Sequence, residues 1–289
     1  IRLPQQPRFR KKLQRFGGIH MWVEEFFGVK KPIIAMCHIR ALPGDPAFDR
    51  DGGMEHVIEC ARKDLNALQD GGVDGVIFSN EFSLPYTSAI EPITLCAMAR
   101  IIEAVRSDIR VPYGVDIIDD AYHAVDLAVA TGASFIRGAV SGSFVSMDGS
   151  VDLDPGKFTR HRYALGGENI RIFSYVIPEG CDYVGKRSLA QLAKKAEFGH
   201  SMDAMCVAGL VAGSAVDTAD IETVKNAVKH TPGFVNTGCK KETIVDLLKV
   251  ADGAISATTF KYDGIFENLV DYNRVKDFMD TVKEFRKTL

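Results

Sequence analysis

The sequence predicts an α/β fold: a single (β/α)8 TIM barrel preceded by a short N-terminal helix. Three observations predict it. From Lys31 onward, short apolar runs alternate with helix-periodic segments until eight strand–helix units have passed, the pattern of a parallel sheet closed on itself. Turns from helix to strand are short and glycine-bearing (Asp70-Gly71-Gly72, Thr131-Gly132, Asp252-Gly253), whereas the strand-to-helix loops 40–53, 81–91 and 141–155 are long. In barrels the long loops gather at the C-terminal face, where ligands bind. Finally, the last two apolar runs both end in small residues: Phe234-Val235 enters Asn236-Thr237-Gly238, and Ala254-Ile255 enters Ser256-Ala257-Thr258-Thr259. An open doubly wound sheet is the alternative and needs a different strand order.

The elements follow in order. Residues 1–20 are basic, with Arg8, Arg10, Lys11, Lys12 and Arg15, and lack the apolar core of a secretory signal. Met21 is therefore expected to be the natural start, with 1–20 a non-native leader. Residues 21–31 open an amphipathic helix, and 32–289 form the barrel. Strands are expected at Ile33–His38, Gly75–Asn80, Tyr113–Ile118, Phe135–Val140, Ile170–Val176, Ala204–Ala208, Phe234–Thr237 and Ala254–Thr258. Helical periodicity follows, for example over Met54–Leu68, Ile93–Ser107, Ala121–Ala130, Leu189–Phe198 and Asp220–Lys229. Ile244, Val245, Leu247 and Leu248 share one helical stripe between the last two strands. The Ser-, Gly- and Asp-rich loop 141–155 is either a lid or an ordered surface excursion.

Composition excludes several classes. A net charge of −3 gives no electrostatic support for nucleic-acid binding, and no apolar run reaches membrane-spanning length. The six cysteines form no Cys-x-x-Cys pair and read as buried thiols of a reducing cytoplasm.

Alternation along each strand sets the candidate site. His38 ends the face carrying Ile34 and Met36. Asn80 ends the face assigned to Val76 and Phe78, with Glu81 just beyond. Asp116 and Arg137 close strands three and four. Polar groups at four strand ends are expensive to bury unpaired, so they are expected to converge at one mouth, as catalytic groups or, for Asp116 and Arg137, as a structural ion pair. Asp119 and Asp120 precede a helix and suit N-capping; His161 is expected on an exposed cationic helix face. Gly209, Gly238, Ala257 and Thr258 are the small strand-end residues expected to offer backbone N–H groups to a phosphate, with Lys261 either neutralising it or solvated. No lysine ends strand six, which weighs against Schiff-base chemistry there. No motif specifies a cofactor; a divalent metal held by Asp116, Glu81 and substrate oxygens has no motif behind it.

Several segments together resemble the BtpA/SgcQ family, in its sugar-operon branch. They are Ile34-Ala35-Met36-Cys37-His38, Ala41-Leu42-Pro43-Gly44-Asp45-Pro46, Ser79-Asn80-Glu81-Phe82-Ser83-Leu84-Pro85-Tyr86, Ala130-Thr131-Gly132-Ala133, and Ala251-Asp252-Gly253 leading to Thr258-Thr259-Phe260-Lys261-Tyr262-Asp263-Gly264. The resemblance runs from about Met21 to the C-terminus. It implies a cytoplasmic barrel, places His38, Asn80, Glu81, Arg137, Gly238 and Lys261 on favoured positions, and links members either to sugar-phosphate genes or to photosystem I biogenesis. Ala139 departs from the family pattern, which often has Asn there.

The expected function is an enzyme acting on a small phosphorylated metabolite of the sugar-phosphate class, by isomerase, epimerase or lyase chemistry. His38 and Asp116 would be its acid/base pair and Arg137 its oxyanion stabiliser. Such a barrel is expected to be a homo-oligomer. The rival is a non-catalytic assembly factor with a vestigial anion site; nucleotide hydrolysis, lacking a Walker-type loop, ranks last.

Overall fold

The computed structural model describes residues 21–289 except 88, 148, 200–201, 210–216 and 237. The expected leader, 1–20, lies outside the described residues. Eight parallel strands close into a barrel. In chain order the elements are α1 (Met21–Phe27), β1 (Ile33–His38), α2 (Gly53–Gly71), β2 (Gly75–Ser79), α3 (Pro92–Val105), β3 (Tyr113–Asp116), α4 (Ala121–Thr131), β4 (Phe135–Arg137), β5 (Gly142–Ser146), β6 (Gly149–Leu153), α5 (Pro155–Ala164), β7 (Arg171–Tyr175), β8 (Asp182–Tyr183), α6 (Leu189–Gly199), β9 (Ala204–Ala208), α7 (Thr218–Ala227), β10 (Gly233–Asn236), α8 (Ile244–Val250), β11 (Gly253–Ser256) and α9 (Tyr272–Arg286). Around the barrel the order is β1-β2-β3-β4-β7-β9-β10-β11, and β11 pairs with β1 through Ala35 and Ser256 to close it. This is the TIM barrel rather than the open sheet. The loop 141–155 is an ordered excursion: β5 and β6 form a hairpin, and β8, from the loop after β7, adds a third antiparallel strand.

Two apolar clusters hold the barrel. The outer one lies between strands and helices, with Ile33, Ala35, Cys37, Val76, Phe78, Val115 and Val235 against the apolar faces of α2, α3, α4 and α9. The inner one fills the lumen with Ile34, Met36, Ile77, Phe135, Phe173, Cys206, Phe234 and Ile255, and α1 adds Val23 and Phe27 to it. α1 thus stoppers the N-terminal end: the Trp22 ring meets Phe173 at 6.0 Å, and Phe27 meets Phe135 at 6.0 Å. Large rings in so narrow a lumen require small neighbours. A Cβ on Gly114 would lie 2.4 Å from the Phe135 ring, and one on Gly253 2.3 Å from Phe234, so glycine at both positions is a packing necessity.

The inner cluster corrects the facing of β2. Ile77, not Val76 and Phe78, points into the lumen, so Ser79 and Glu81 continue the inward face while Asn80 falls on the other side. Buried parallel strands are apolar on both faces, and alternation then carries no phase. Two cysteines also depart from expectation: Cys96, on α3, is exposed, and Cys181 is half-buried. Among the described residues, no helix is long and apolar enough to cross a membrane.

Candidate active site at the C-terminal mouth

At the C-terminal end the apolar lumen gives way to polar groups. Arg137 Nε donates to Asp116 Oδ2 at 2.6 Å and Arg137 Nη2 lies 2.5 Å from the same oxygen, with both side chains almost fully buried. The ion pair open at the sequence level is therefore present. A third guanidinium nitrogen, Nη1, donates to Asn236 Oδ1 at 3.2 Å, and the Tyr175 ring lies 5.5 Å from the guanidinium carbon. Burial pushes the Asp116 carboxyl up to about 6, against the pull of Arg137 and reinforced by the Glu81 charge. Arg137 itself stays charged: burial opposes its charge, but Asp116, Tyr175 and Glu81 together raise its pKa.

Beside this pair stands His38. Its Nε2 lies 3.8 Å from Glu81 Oε2, and its ring contacts Phe266 (5.4 Å between centroids) and Phe82 (6.3 Å). Burial, with the Lys261, Arg137 and Arg40 charges, pushes the imidazole pKa well below 6.5, so His38 is neutral at neutral pH. Its Nδ1 and Asn236 Nδ2 are both buried without a hydrogen-bond partner among the described residues. Glu81 is anchored from two sides: Ser79 Oγ donates to its Oε2 at 2.9 Å, and the Tyr86 hydroxyl donates to its carbonyl at 2.9 Å.

The other expected residues are placed as follows. Asn80 Oδ1 accepts from Ile118 N at 2.9 Å, tying the loop after β2 to the end of β3. Lys261 is 1% exposed, which excludes the solvated alternative. Its Nζ donates to Asn268 O at 2.9 Å and lies 5.3 Å from the Phe82 ring and 5.7 Å from Phe266. Burial lowers its pKa, with Asp64 opposing. Gly238 adopts φ 66°, the left-handed conformation that favours glycine, and Thr258–Phe260 form a single 3-10 turn after Ala257. Gly209 follows β9 directly; the next seven residues lie outside the described set. Asp120 caps α4, accepting from His123 N at 3.1 Å. His161 does not present an exposed cationic face: it stacks on Tyr122 at 3.8 Å and pairs with Asp126 at 2.7 Å. Among the described residues, no group of three or more His, Cys, Asp or Glu side chains is arranged to hold a metal ion.

Sequence reasoning did not single out Asn236, Tyr175 or Phe266 as site residues. For Asn236 a signal was present: Phe234 faces inward, so the residue two further on, polar and at a strand end, faces the mouth.

The sequence profile of the BtpA family matches residues 29–284. The chain belongs to the BtpA family. Within it, the chain is 46% identical over 266 residues to the sgc region protein SgcQ of Escherichia coli (strain K12), covering 92% of this chain and 99% of that one. It is 28% identical over 265 residues to the photosystem I biogenesis protein BtpA of Synechocystis, covering 91% of each. Among solved structures, tryptophan synthase of Mycobacterium tuberculosis superposes with a TM-score of 0.59 at 12% identity, covering 94% of this chain and 99% of that one. The last similarity concerns the fold alone. In this BtpA-family chain, the positions carrying the resemblance come together: His38, Glu81, Phe82 and Lys261 meet at one edge of the mouth.

His38 leaves a pH signature. In the unfolded chain it takes a proton near 6.5, but in the fold it resists protonation to well below that. The unfolded state therefore binds more protons in that window, and stability falls as pH drops below about 6.5, by up to about 1.4 kcal/mol per pH unit. Asp116 runs the other way between 3.8 and about 6, because its folded form holds the proton more tightly. His38→Gln is expected to lose less stability than the parent on acidification, read as the difference in urea midpoint between about pH 7.5 and 5.5. An unchanged difference would show that His38 is not buried in its neutral form.

Proposed function

We propose that this barrel is an enzyme acting on a small phosphorylated metabolite of the sugar-phosphate class, with isomerase, epimerase or lyase-type proton chemistry. The observation that carries the reading is a neutral, buried imidazole at the lumen end, beside Glu81 and beside the buried Asp116–Arg137 pair. A neutral imidazole keeps a lone pair and is a competent proton acceptor. Glu81 orients it. Arg137, held by Asp116, supplies fixed positive charge toward an oxygen that becomes anionic as the proton leaves. Asp116, with its carboxyl near 6, is the second group able to move a proton at neutral pH. Backbone N–H groups at Gly209, Gly238, Ala257 and Thr258 would receive the phosphate, and the buried Lys261 charge would act on it at longer range. The reading carries with it a cytoplasmic location and a homo-oligomer, by analogy of fold.

A second reading, a non-catalytic assembly factor, is favoured by a different observation. The small side sheet and its hairpin tip expose apolar Val145, Met147 and Val184, and a relative is named for photosystem I biogenesis. A thermal-shift panel separates the two: sugar phosphates, their dephosphorylated parents and inorganic phosphate, each with and without magnesium. A ligand at about a hundred times its Kd adds roughly 2.7 kcal/mol. Stabilisation by a phosphorylated sugar but not its parent is expected; a folded protein that no member of the panel shifts would turn the assignment to the assembly factor.

A further inference from the structure

His38 ends β1, which lies between β2 and β11 in the barrel wall. It is only 4% exposed although it ends its strand. What covers it comes from the loops that follow its two neighbours. Phe82, after β2, and Phe266, after β11, meet at 4.8 Å between ring centroids, and both contact the imidazole. Both phenylalanines are themselves half-buried, which makes them the outer layer over His38.

The segment that carries Phe266 is pinned at its neck and self-contained beyond it. At the neck Lys261 and Val270 form an antiparallel bridge, Val270 N donates to Asp64 Oδ1 at 2.8 Å, and Asp271 N donates to Phe260 O at 2.8 Å. Residues 262–269 bond mainly to one another. Tyr262 N donates to Leu269 O at 3.0 Å, Ile265 N to Tyr262 O at 3.1 Å, and Asn268 N to Ile265 O at 3.2 Å. Asn268 Nδ2 adds a bond to Tyr262 O at 2.9 Å. Such a loop keeps its shape when it swings, because its hydrogen bonds travel with it. Its tip is held to the barrel differently. Arg40 Nη1 donates to Glu267 O at 2.6 Å, in an exposed position, while the Arg40 guanidinium carbon lies 4.7 Å from the Phe82 ring centroid. Tyr262 and Ile265 are about half exposed, so Phe266 is the apolar anchor of the tip.

We infer that residues 262–269 are a flap that shuts over His38 with Phe266 as its plug, and that Arg40 is the latch joining the flap to Phe82. The inference rests on the proton-acceptor reading of His38 for what the flap serves, and on these contacts for the flap itself. The structure is its shut form. Shut, the flap keeps water from the imidazole, and burial is the first cause of the lowered His38 pKa. The charges around that ring come from Glu81 after β2, Lys261 at the neck, Arg40 after β1 and Arg137 on β4. Opening bares His38 to an incoming molecule; closing behind that molecule excludes water from the proton transfer.

The test is the rate at which diethyl pyrocarbonate carbethoxylates His38, mapped by peptide mass on the full chain. It is run at about pH 8, where the ring is neutral with or without the Arg40 charge. His161, on α5 and held by Tyr122 and Asp126, is the internal reference. Arg40→Gln releases the latch and is expected to raise the His38 rate about tenfold relative to His161, equivalent to about 1.4 kcal/mol. Phe266→Ala removes the plug and is expected to raise it at least as much. It should also bring the imidazole pKa, followed by ¹H–¹³C spectra, up toward 6.5. Hydrogen exchange of the Ile265 and Asn268 amides should stay unchanged in Arg40→Gln, since the loop swings as a unit. A His38 rate unmoved in both variants overturns the inference, as does a rise shared equally by His161. Faster exchange of those two amides overturns it too, because the loop then unravels rather than swings. If His38 opens as expected but no member of the thermal-shift panel stabilises the protein, the flap stands and the sugar-phosphate reading alone falls.

Discussion

Arg137→Met is expected to cost about 3–5 kcal/mol of folding stability, because it leaves a buried carboxylate without its counter-charge. Asp116 Oδ2 receives two guanidinium nitrogens and Asn236 Oδ1 receives a third, so one substitution strands a charge and an amide together. The loss has two signatures that a simple packing defect lacks. First, the double variant Asp116→Asn/Arg137→Met should recover most of the stability, since nothing charged is then left buried. Second, the penalty of the single variant should shrink on acidification, because Asp116, already raised to about 6 beside Arg137, rises further without it and takes up a proton. Urea midpoints of parent, single and double variants at two pH values measure both effects. A single variant as stable as the double would mean that the pair is not the anchor of the mouth. If the proposed chemistry is right, turnover is lost in both variants, separating the pair's structural part from its functional one.

Phe173→Ala is expected to be of similar size, about 3–5 kcal/mol, through an unrelated mechanism. Phe173 sits at the centre of the lumen, with Trp22, Phe27, Phe135 and Phe234 all within 5.0–6.3 Å between ring centroids. Truncation opens a void lined by four aromatic rings on β4, β10 and α1, none of which can collapse without shifting a strand or the helix. α1 has seven residues and too few internal hydrogen bonds to persist unaided, so it should loosen first. Hydrogen exchange of the α1 amides should accelerate more than that of β4 or β10, and Phe173→Leu should recover part of the loss. Uniform acceleration across the barrel would mean that α1 is not held by this layer.

The comparison of sequence with structure separates local from distant signals. β1 and β9 run over the expected residues, and the other barrel strands are one to three residues shorter, or shifted by one, within the same apolar runs. Those runs were legible because a buried parallel strand is apolar throughout. The same property hid the facing of β2, where Gly75-Val76-Ile77-Phe78 offers no polar residue to set the phase until Ser79. Asp116 and Arg137 were legible as a pair because both end neighbouring strands on the inward phase. The same phase turns Asn236 to the mouth, but its partner was not legible, because it lies 99 positions away. The burial of Lys261 was not legible for a similar reason: the Phe82 and Phe266 rings that its Nζ lies over come from two different loops. The hairpin of β5 and β6 was read only as an undivided loop, although Phe144 opposite Val151 is a cross-strand apolar pair.

The stopper formed by α1 has a consequence for the order of events at the site. With Val23, Phe27 and the phenylalanine layer closing the N-terminal half of the lumen, a ligand bound as proposed would come and go by the C-terminal end alone. Arrival and departure would then not overlap, since the occupant would leave by the end through which its successor enters. On that reading a lingering product would compete with the incoming molecule for the same space.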